Sequence, residues 1–313
     1  MIRFTLRRLV SGVILLFVVS SLAFLLLNLA SGDIGRRILG PTASAATVAL
    51  KNKQLGVDQP LGARYLDWLS HAIRGDFGTS WFSNQPVADA VASRLAVTLS
   101  LVIGATLLSA IIAVVLGVWA ARRRGAADRL VQVVSVLGFA IPGFLLAIAL
   151  INVFALGLHW FKPTGYVQLT DSFTGWVASV TLPVIALAIG SIAAIAQQVR
   201  GSVIDALRQD WVRTLRSRGI SENRVVFKHV LRNAGGPALA VLAVQFVGLL
   251  GGAVIVEQIF AIPGLGQISV VATSQGDVPL VMGLVVTIGA IVVIVNLVID
   301  LLQGFLNPKA RLS

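Results

Sequence analysis

The chain has no cysteine. Disulfides, thiolate nucleophiles and cysteine metal sites are therefore excluded. Histidine is nearly as scarce. His71, His159 and His229 lie far apart in different predicted loops, so no histidine cluster is expected to hold a metal. None of the lysines (Lys51, Lys53, Lys162, Lys228 and Lys309) follows a glycine. The Gly-Lys-Ser/Thr phosphate loop is thus missing, and the chain is not expected to hydrolyse ATP or to be an enzyme. Charge is sparse as well: 12% of the 313 residues are charged, about half the share found in soluble domains.

Apolar residues make up 57% of the chain. That excess must face lipid as well as a core, which defines an all-α polytopic membrane protein. A transmembrane barrel would alternate apolar and polar residues, and these runs do not. The net charge of +12 would point to nucleic acid on a soluble protein. Here the positive-inside rule accounts for it, and no nucleic-acid partner is expected.

Six runs are long enough to cross a bilayer: 9–30, 97–121, 130–158, 176–199, 236–256 and 281–303. The first exceeds a typical signal core and is expected to be a retained helix. With the N-terminus inside, 17 of the 25 Lys and Arg residues fall on inner segments, so both termini are expected in the cytoplasm. The organisation expected is residues 1–30 as N-terminus and first span, 31–96 as an extracytoplasmic subdomain, 97–303 as a five-helix core carrying an internal segment at 200–235, and 304–313 as a cytoplasmic tail. Residues 61–73 place Leu61, Tyr65, Trp68, Leu69 and Ala72 at helical spacing. That helix either lies at the membrane interface or forms a rim that meets an external partner. Gly138, Pro142 and Gly143 interrupt the third run and Pro183 the fourth, as kinks in a packed bundle or breaks beside a pathway.

The internal segment is the most informative. Ile204, Leu207, Trp211 and Leu215 read as one helical stripe, with Arg213 and Arg216 projecting off it. Gly219 reads as a left-handed stop and Ser221 as the N-cap of a second helix. On that helix Phe227 and Leu231 form an apolar pair, and Arg224, Lys228 and Arg232 a basic stripe. Asn233, Gly235, Gly236 and Pro237 are expected to end it. From these residues alone two readings stay level: a helix pair on anionic lipid headgroups and a rigid lever inserted into a soluble partner.

Asp210, Val212, Arg213, Thr214, Arg216 and Gly219, followed by His229, Leu231, Arg232, Asn233 and Ala234, resemble the cytoplasmic loop of ABC-importer permeases in the peptide and nickel branch. The triplet Glu-Ala-Ala of the wider family is missing, and Arg232 replaces its proline. Four further stretches are similar to B-type permeases of dipeptide and oligopeptide importers. They are Asp58, Gln59, Pro60 and Leu61; Gly75, Asp76, Phe77, Gly78, Thr79 and Ser80; Val256 and Glu257 with Phe260, Pro263, Gly264, Leu265 and Gly266; and Asn307, Pro308, Lys309, Ala310 and Arg311.

The resemblance implies a type I ABC importer permease fold with six spans in a bacterial inner membrane. It implies a second, C-type permease, one or two ATPase subunits that carry ATP and magnesium, and an extracytoplasmic peptide-binding protein. No cofactor is expected in this chain. Asp210, Val212, Arg213, Thr214, Arg216, Gly219, His229, Leu231, Arg232 and Asn233 would couple to the ATPase. Glu257, Phe260, Pro263, Gly264 and Gly266 would form an outer gate or hinge, or an ordinary external turn. Gln197, Gln198 and Gln245 either line a pathway or hold helices together. The intramembrane acids are few, which weighs against proton-coupled secondary transport. That reading and a membrane scaffold that transports nothing remain the alternatives.

Overall fold

The structure is a computed structural model and describes residues 2–30, 32–123 and 125–306. The expected tail motif from Asn307 to Arg311 and the inner cation Arg124 lie outside the described residues. Among the described residues the chain is helical, with a single β-bridge between Thr79 and Pro86. Five helices among the described residues are long and apolar enough to cross a membrane, or six if one bent pair is counted as a span.

The chain divides into two compact units. One is built on Thr98–Ile262 and includes the chain from Val295 onward. It contains most of α5 (Val87–Arg123), α6 (Ala126–Ala140), α7 (Gly143–Leu150), α8 (Phe173–Leu207), α9 (Asp210–Ser217), α10 (Glu222–Arg224) and α11 (Leu231–Ile259). α8 is its axis, and small residues let the neighbours approach. A Cβ on Gly117 of α5 would meet Val199 Cβ at 2.8 Å and Ala196 O at 2.9 Å, both on α8. A Cβ on Gly138 of α6 would lie 3.3 Å from Ala193 Cβ. Ser109 Oγ on α5 donates to Ala188 O at 3.2 Å, and Arg200 on α8 makes a two-pronged contact with Asp128 on α6, one limb at 2.7 Å.

The other unit, Leu6–Val97 with Pro263–Ile294, holds α1 (Ile2–Ala30), α2 (Ile34–Leu39), α3 (Ala45–Gln54), α4 (Leu61–Ala72), the start of α5, α12 (Leu265–Gln275) and the first half of α13 (Val278–Leu306). The expected 31–96 subdomain is therefore part of a larger unit. Val87, Ala90, Val91, Leu265, Ala272, Leu280, Val281 and Leu284 form its core. Asn52 joins α2 to α3 by accepting from Gly35 N at 2.9 Å and donating to the capping Asp33 at 3.0 Å.

Three sequence expectations change. The second span begins ten residues early, at Val87, because its first turn buries Val87, Ala90 and Val91 against protein rather than lipid. The third run is not straight: its halves, Asp128–Ala140 and Gly143–Gly157, meet at 94°. Ile141 is extended (φ −87°, ψ 119°), as a residue before proline prefers, and Pro142 starts the next helix. The hairpin's second helix does not end at Pro237 before the fifth span. α10, a π-helical segment at Val225–Val230 and α11 run on as one 38-residue helix, Glu222–Ile259, with Pro237 inside it.

Because the chain lacks cysteine, the bent pair can be tested directly. If it is one crossing, Arg123→Cys and Asp171→Cys will react with an impermeant maleimide from opposite sides of sealed vesicles; if it is re-entrant, they will react from the same side. Opposite sides are expected. Helix packing predicts a second contrast. Gly117→Val should lose about 1–3 kcal/mol by overpacking. Gly201→Ala, at a glycine whose Cβ would meet nothing within 4 Å, should leave the melting temperature in detergent unchanged or raised.

Candidate functional site

The internal segment folds as a hairpin rooted in the bundle. α8 ends at Leu207, and a turn at Arg208 and Gln209 precedes α9. The expected single stripe is therefore split between two helices: Ile204 and Leu207 on α8, Trp211 and Leu215 on α9. All four still pack against one buried cluster. Val212, Val225, Val226 and Val230 are completely buried there, beside Val199 and Val203 of α8 and Ala113 and Ala121 of α5. Full burial of each valine is worth on the order of 1.5–3 kcal/mol. The hairpin therefore shares its core with the helices below it.

Gly219 has φ +76°, the left-handed turn expected of it. Ser221 occupies the cap position but makes no side-chain hydrogen bond to the first turn. The turn is closed instead by Arg216, whose Nε and Nη2 donate to Glu222 at 2.9 and 2.7 Å. That carboxylate holds the Arg216 guanidinium above its usual range. Arg216 was expected to face a partner and is engaged within the chain. Arg213 stays exposed, 3.4 Å from Asp210. Thr214 Oγ1 donates back to Asp210 O at 3.2 Å. Arg122 Nη2 donates to Asn223 at 3.0 Å, so α5 braces the second arm.

Phe227, placed by its spacing in an apolar pair with Leu231, is 59% exposed. The π-helical segment is the reason. Its i→i+5 bonding turns the register so that Val225, Val226 and Val230 take the inner face. Arg224, Lys228 and Arg232 are all exposed and flank Phe227, giving an aromatic in a basic surface. His229 and Leu231 are half-buried, and Asn233 Nδ2 donates to His229 O at 3.0 Å. A cleft of about 420 Å³ at the base of the hairpin is lined by Ala121, Arg122, Arg123, Leu207, Arg216 and Glu222.

At the far end of α11, Glu257 is wholly buried, and Thr98 Oγ1 donates to it at 2.6 Å. Phe260 is buried, and its carbonyl accepts from Gly165 N at 2.9 Å. Glu257 O accepts from Ile262 N at 2.8 Å around Ala261, which has φ +50°. In the other unit, Pro263 is exposed, while Gly264 and Gly266 are buried where α12 begins. Gln197, Gln198 and Gln245 are half-buried, and Gln198 Nε2 donates to Ser202 at 3.1 Å on its own helix.

Two acids escaped the sequence reading. Glu222 was not matched to Arg216, although the six-residue spacing across a glycine stop was the available signal. Asp277 is completely buried and accepts from Ser80 Oγ at 2.5 Å, Trp81 N at 3.2 Å and Leu280 N at 3.4 Å. It ties the stretch around Ser80 to the start of α13. An aspartate three residues before a helical N–H is a capping signal.

The helical fold is that of a membrane permease. Residues 113–312 match the family described as "Binding-protein-dependent transport system inner membrane component", and residues 1–102 match its N-terminal counterpart. The chain belongs to this family, as its relatives also show. It is 36% identical over 309 residues to a probable peptide ABC transporter permease of Sinorhizobium fredii, covering 98% of this chain and 99% of that one. It is 37% identical over 312 residues to the glutathione transport system permease protein GsiC of Escherichia coli strain K12, covering 99% of each. It is 37% identical over 307 residues to a putative peptide transport system permease of Brucella abortus, covering 98% of each. Among solved structures, the inward-facing MetNI methionine ABC transporter has a similar fold, with TM-score 0.57 and 16% identity over 69% of this chain and 96% of that one. Membership in a transport family sets aside the scaffold reading. The relatives' description as ABC transporter permeases sets aside the proton-coupled one.

A double-mutant cycle of Arg216→Ala and Glu222→Ala should give a coupling of about 0.5–1 kcal/mol, the range for a half-exposed, two-pronged pair. Thermal unfolding of the detergent-solubilised protein measures it, and the value should fall with added salt.

Proposed function

We propose that this chain forms one half of the translocation pathway of an ATP-driven importer of short peptides. It would pair with a second permease and take substrate from an extracytoplasmic peptide-binding protein. The hairpin at 200–235 would dock an ATPase subunit, which holds the ATP and magnesium. Both termini and the hairpin would be cytoplasmic.

The observation that carries this reading is the hairpin itself. It is braced by a buried core on one side and presents exposed Arg208, Arg213, Arg218, Arg224, Lys228 and Arg232 on the other. A lipid-bound helix pair needs cations but has no need of so rigid a root. The names of the relatives support the peptide class. The exposed apolar faces of the spans support a second permease beside lipid, since only 17–50% of an 18-residue apolar stretch in each of the five unbroken spans is buried within the chain. Gln197, Gln198 and Gln245 supply neutral polar groups for a lining that passes peptides without holding them. Glu257, Phe260, Pro263, Gly264 and Gly266 would form the outer gate.

In this scheme ATP binding draws the two permeases' hairpins together and opens the outer side; hydrolysis resets them. The Gly219 turn separates geometry from bulk. A Cβ there meets nothing within 4 Å, so only the positive φ penalises a side chain. Gly219→Val should cost about 1–3 kcal/mol of local strain and uncouple ATP hydrolysis from uptake in reconstituted vesicles, while the assembly still inserts. Gly219→Asn, which tolerates the left-handed region, should retain coupling. Full peptide uptake by the valine variant would overturn the mechanism.

A further inference from the structure

The hairpin's second arm holds its apolar side chains inward, with one exception. Val225, Val226 and Val230 are completely buried, yet Phe227 between them is open to solvent. Between Val177 and Val244 it is the one described large apolar residue that is exposed. The backbone beneath it is fixed by the three valines. The ring is therefore held outward on a rigid support and is not a product of loose packing.

Lipid does not account for this ring. The apolar run of the same helix begins at Gly236, nine residues beyond Phe227, about 14 Å at the helical rise. A span tilted by as much as 40° still leaves about 10 Å of that along the membrane normal. The headgroup layer on one side is about 5–8 Å thick. Phe227 thus stands clear of the bilayer. The surface around it has one sign of charge. Arg224 and Lys228 are exposed and form no salt bridge among the described residues. The two acids of the hairpin arms are already engaged: Asp210 lies 3.4 Å from Arg213, and Glu222 accepts from Arg216. An aromatic ring set among uncompensated cations has the composition of an interface centre, where aromatics and Arg are enriched.

We propose that Phe227 is the anchor by which the hairpin grips the ATPase subunit: its ring enters an apolar socket on that partner, and Arg224 and Lys228 meet carboxylates on the socket's rim. This rests on the docking role proposed above and adds the residue that carries the grip and the chemistry of the surface that receives it. Phe227 lies between the two stretches that the resemblance assigns to coupling, and belongs to neither. Burial of the ring supplies affinity; the cations speed encounter and set orientation. The load enters the helix within the π segment Val225–Val230, where the backbone is already widened.

The test uses the assembly purified through a tag on this chain, co-expressed with its second permease and its ATPase subunits, with loss of an ATPase subunit on dilution followed by mass photometry. Phe227→Ala should weaken retention of one ATPase subunit about thirtyfold, the loss expected of an aromatic anchor. Phe227→Met, which keeps the apolar bulk, should retain most of the affinity. Arg224→Gln with Lys228→Gln should slow association and flatten its salt dependence. All three positions are exposed, and an unchanged helical circular dichroism spectrum will show that each variant is folded. Because the chain has no cysteine, Phe227→Cys carries a single spin label. In vesicles holding this chain alone, an aqueous nickel chelate should reach the label better than oxygen dissolved in lipid. Preferential access of oxygen would put the ring in lipid and overturn the inference. Undiminished ATPase retention in the alanine variant would overturn it too, while leaving the docking role intact. A wild-type assembly that holds no phosphate-loop subunit would overturn both.

Discussion

Val212, Val225, Val226 and Val230 have no exposed surface, and the rest of the internal hairpin depends on that. These four side chains close over Val199 and Val203 of α8 and Ala113 and Ala121 of α5. A loop that merely connected two spans would carry its apolar residues singly. Here they form one core with three long helices, so the hairpin cannot tilt without disturbing the helices it joins. The polar contacts refine this arrangement rather than create it. Arg216 and Glu222 close the turn, and Arg122 reaches Asn223 from α5. Each is exposed and individually weak. Together they select one hairpin angle among those the buried core would allow.

A second constraint acts inside the membrane, where every backbone N–H and C=O must find a partner within its own helix or an adjacent group. The chain breaks that regularity at few places. At Pro142 the third run turns through 94°. At Pro183 the helix runs on without the N–H that would reach Ser179 O. At Val225–Val230 the helix widens to the π form just where the hairpin meets the bundle. Such π segments change side-chain register without ending a helix, and they recur at functional positions.

The apolar runs were legible in the sequence, because hydrocarbon demands long uninterrupted apolar stretches. Their ends were not. Hydropathy stops where lipid stops, whereas the helix continues where protein takes over: α5 starts ten residues earlier, with Val87, Ala90 and Val91 buried, and α11 is continuous with the hairpin's second arm. Gly219 was readable because a left-handed turn needs glycine. Phe227 and Leu231 do not share one degree of burial as their spacing suggests, because a 3.6-residue period cannot foresee a π segment. The stripe from Ile204 to Leu215 was misread in a milder way: the two-residue break at Arg208 and Gln209 preserves the facing while changing the helix. Asp277 and Glu222 were invisible to periodicity, since each is defined by a partner distant in space or across a turn.

Continuity is what gives the hairpin mechanical reach. Glu222–Ile259 is one helix of 38 residues, about 57 Å at 1.5 Å per residue. One end carries the Arg216 contact, and Glu257 and Phe260 lie at the other. No loop intervenes to absorb a displacement; the π segment and Pro237 interrupt its hydrogen bonding in the half nearer the hairpin. On the proposed reading, a force applied at the exposed cations would bend the helix near its base and move the remainder as a rod. The buried Thr98–Glu257 hydrogen bond then acquires a mechanical meaning: it joins that rod to α5, whose opposite end braces the hairpin through Arg122. The two helices thus join the hairpin to the Glu257 end of α11 by parallel routes, so a motion that shifts one relative to the other must break or remake a contact at both ends.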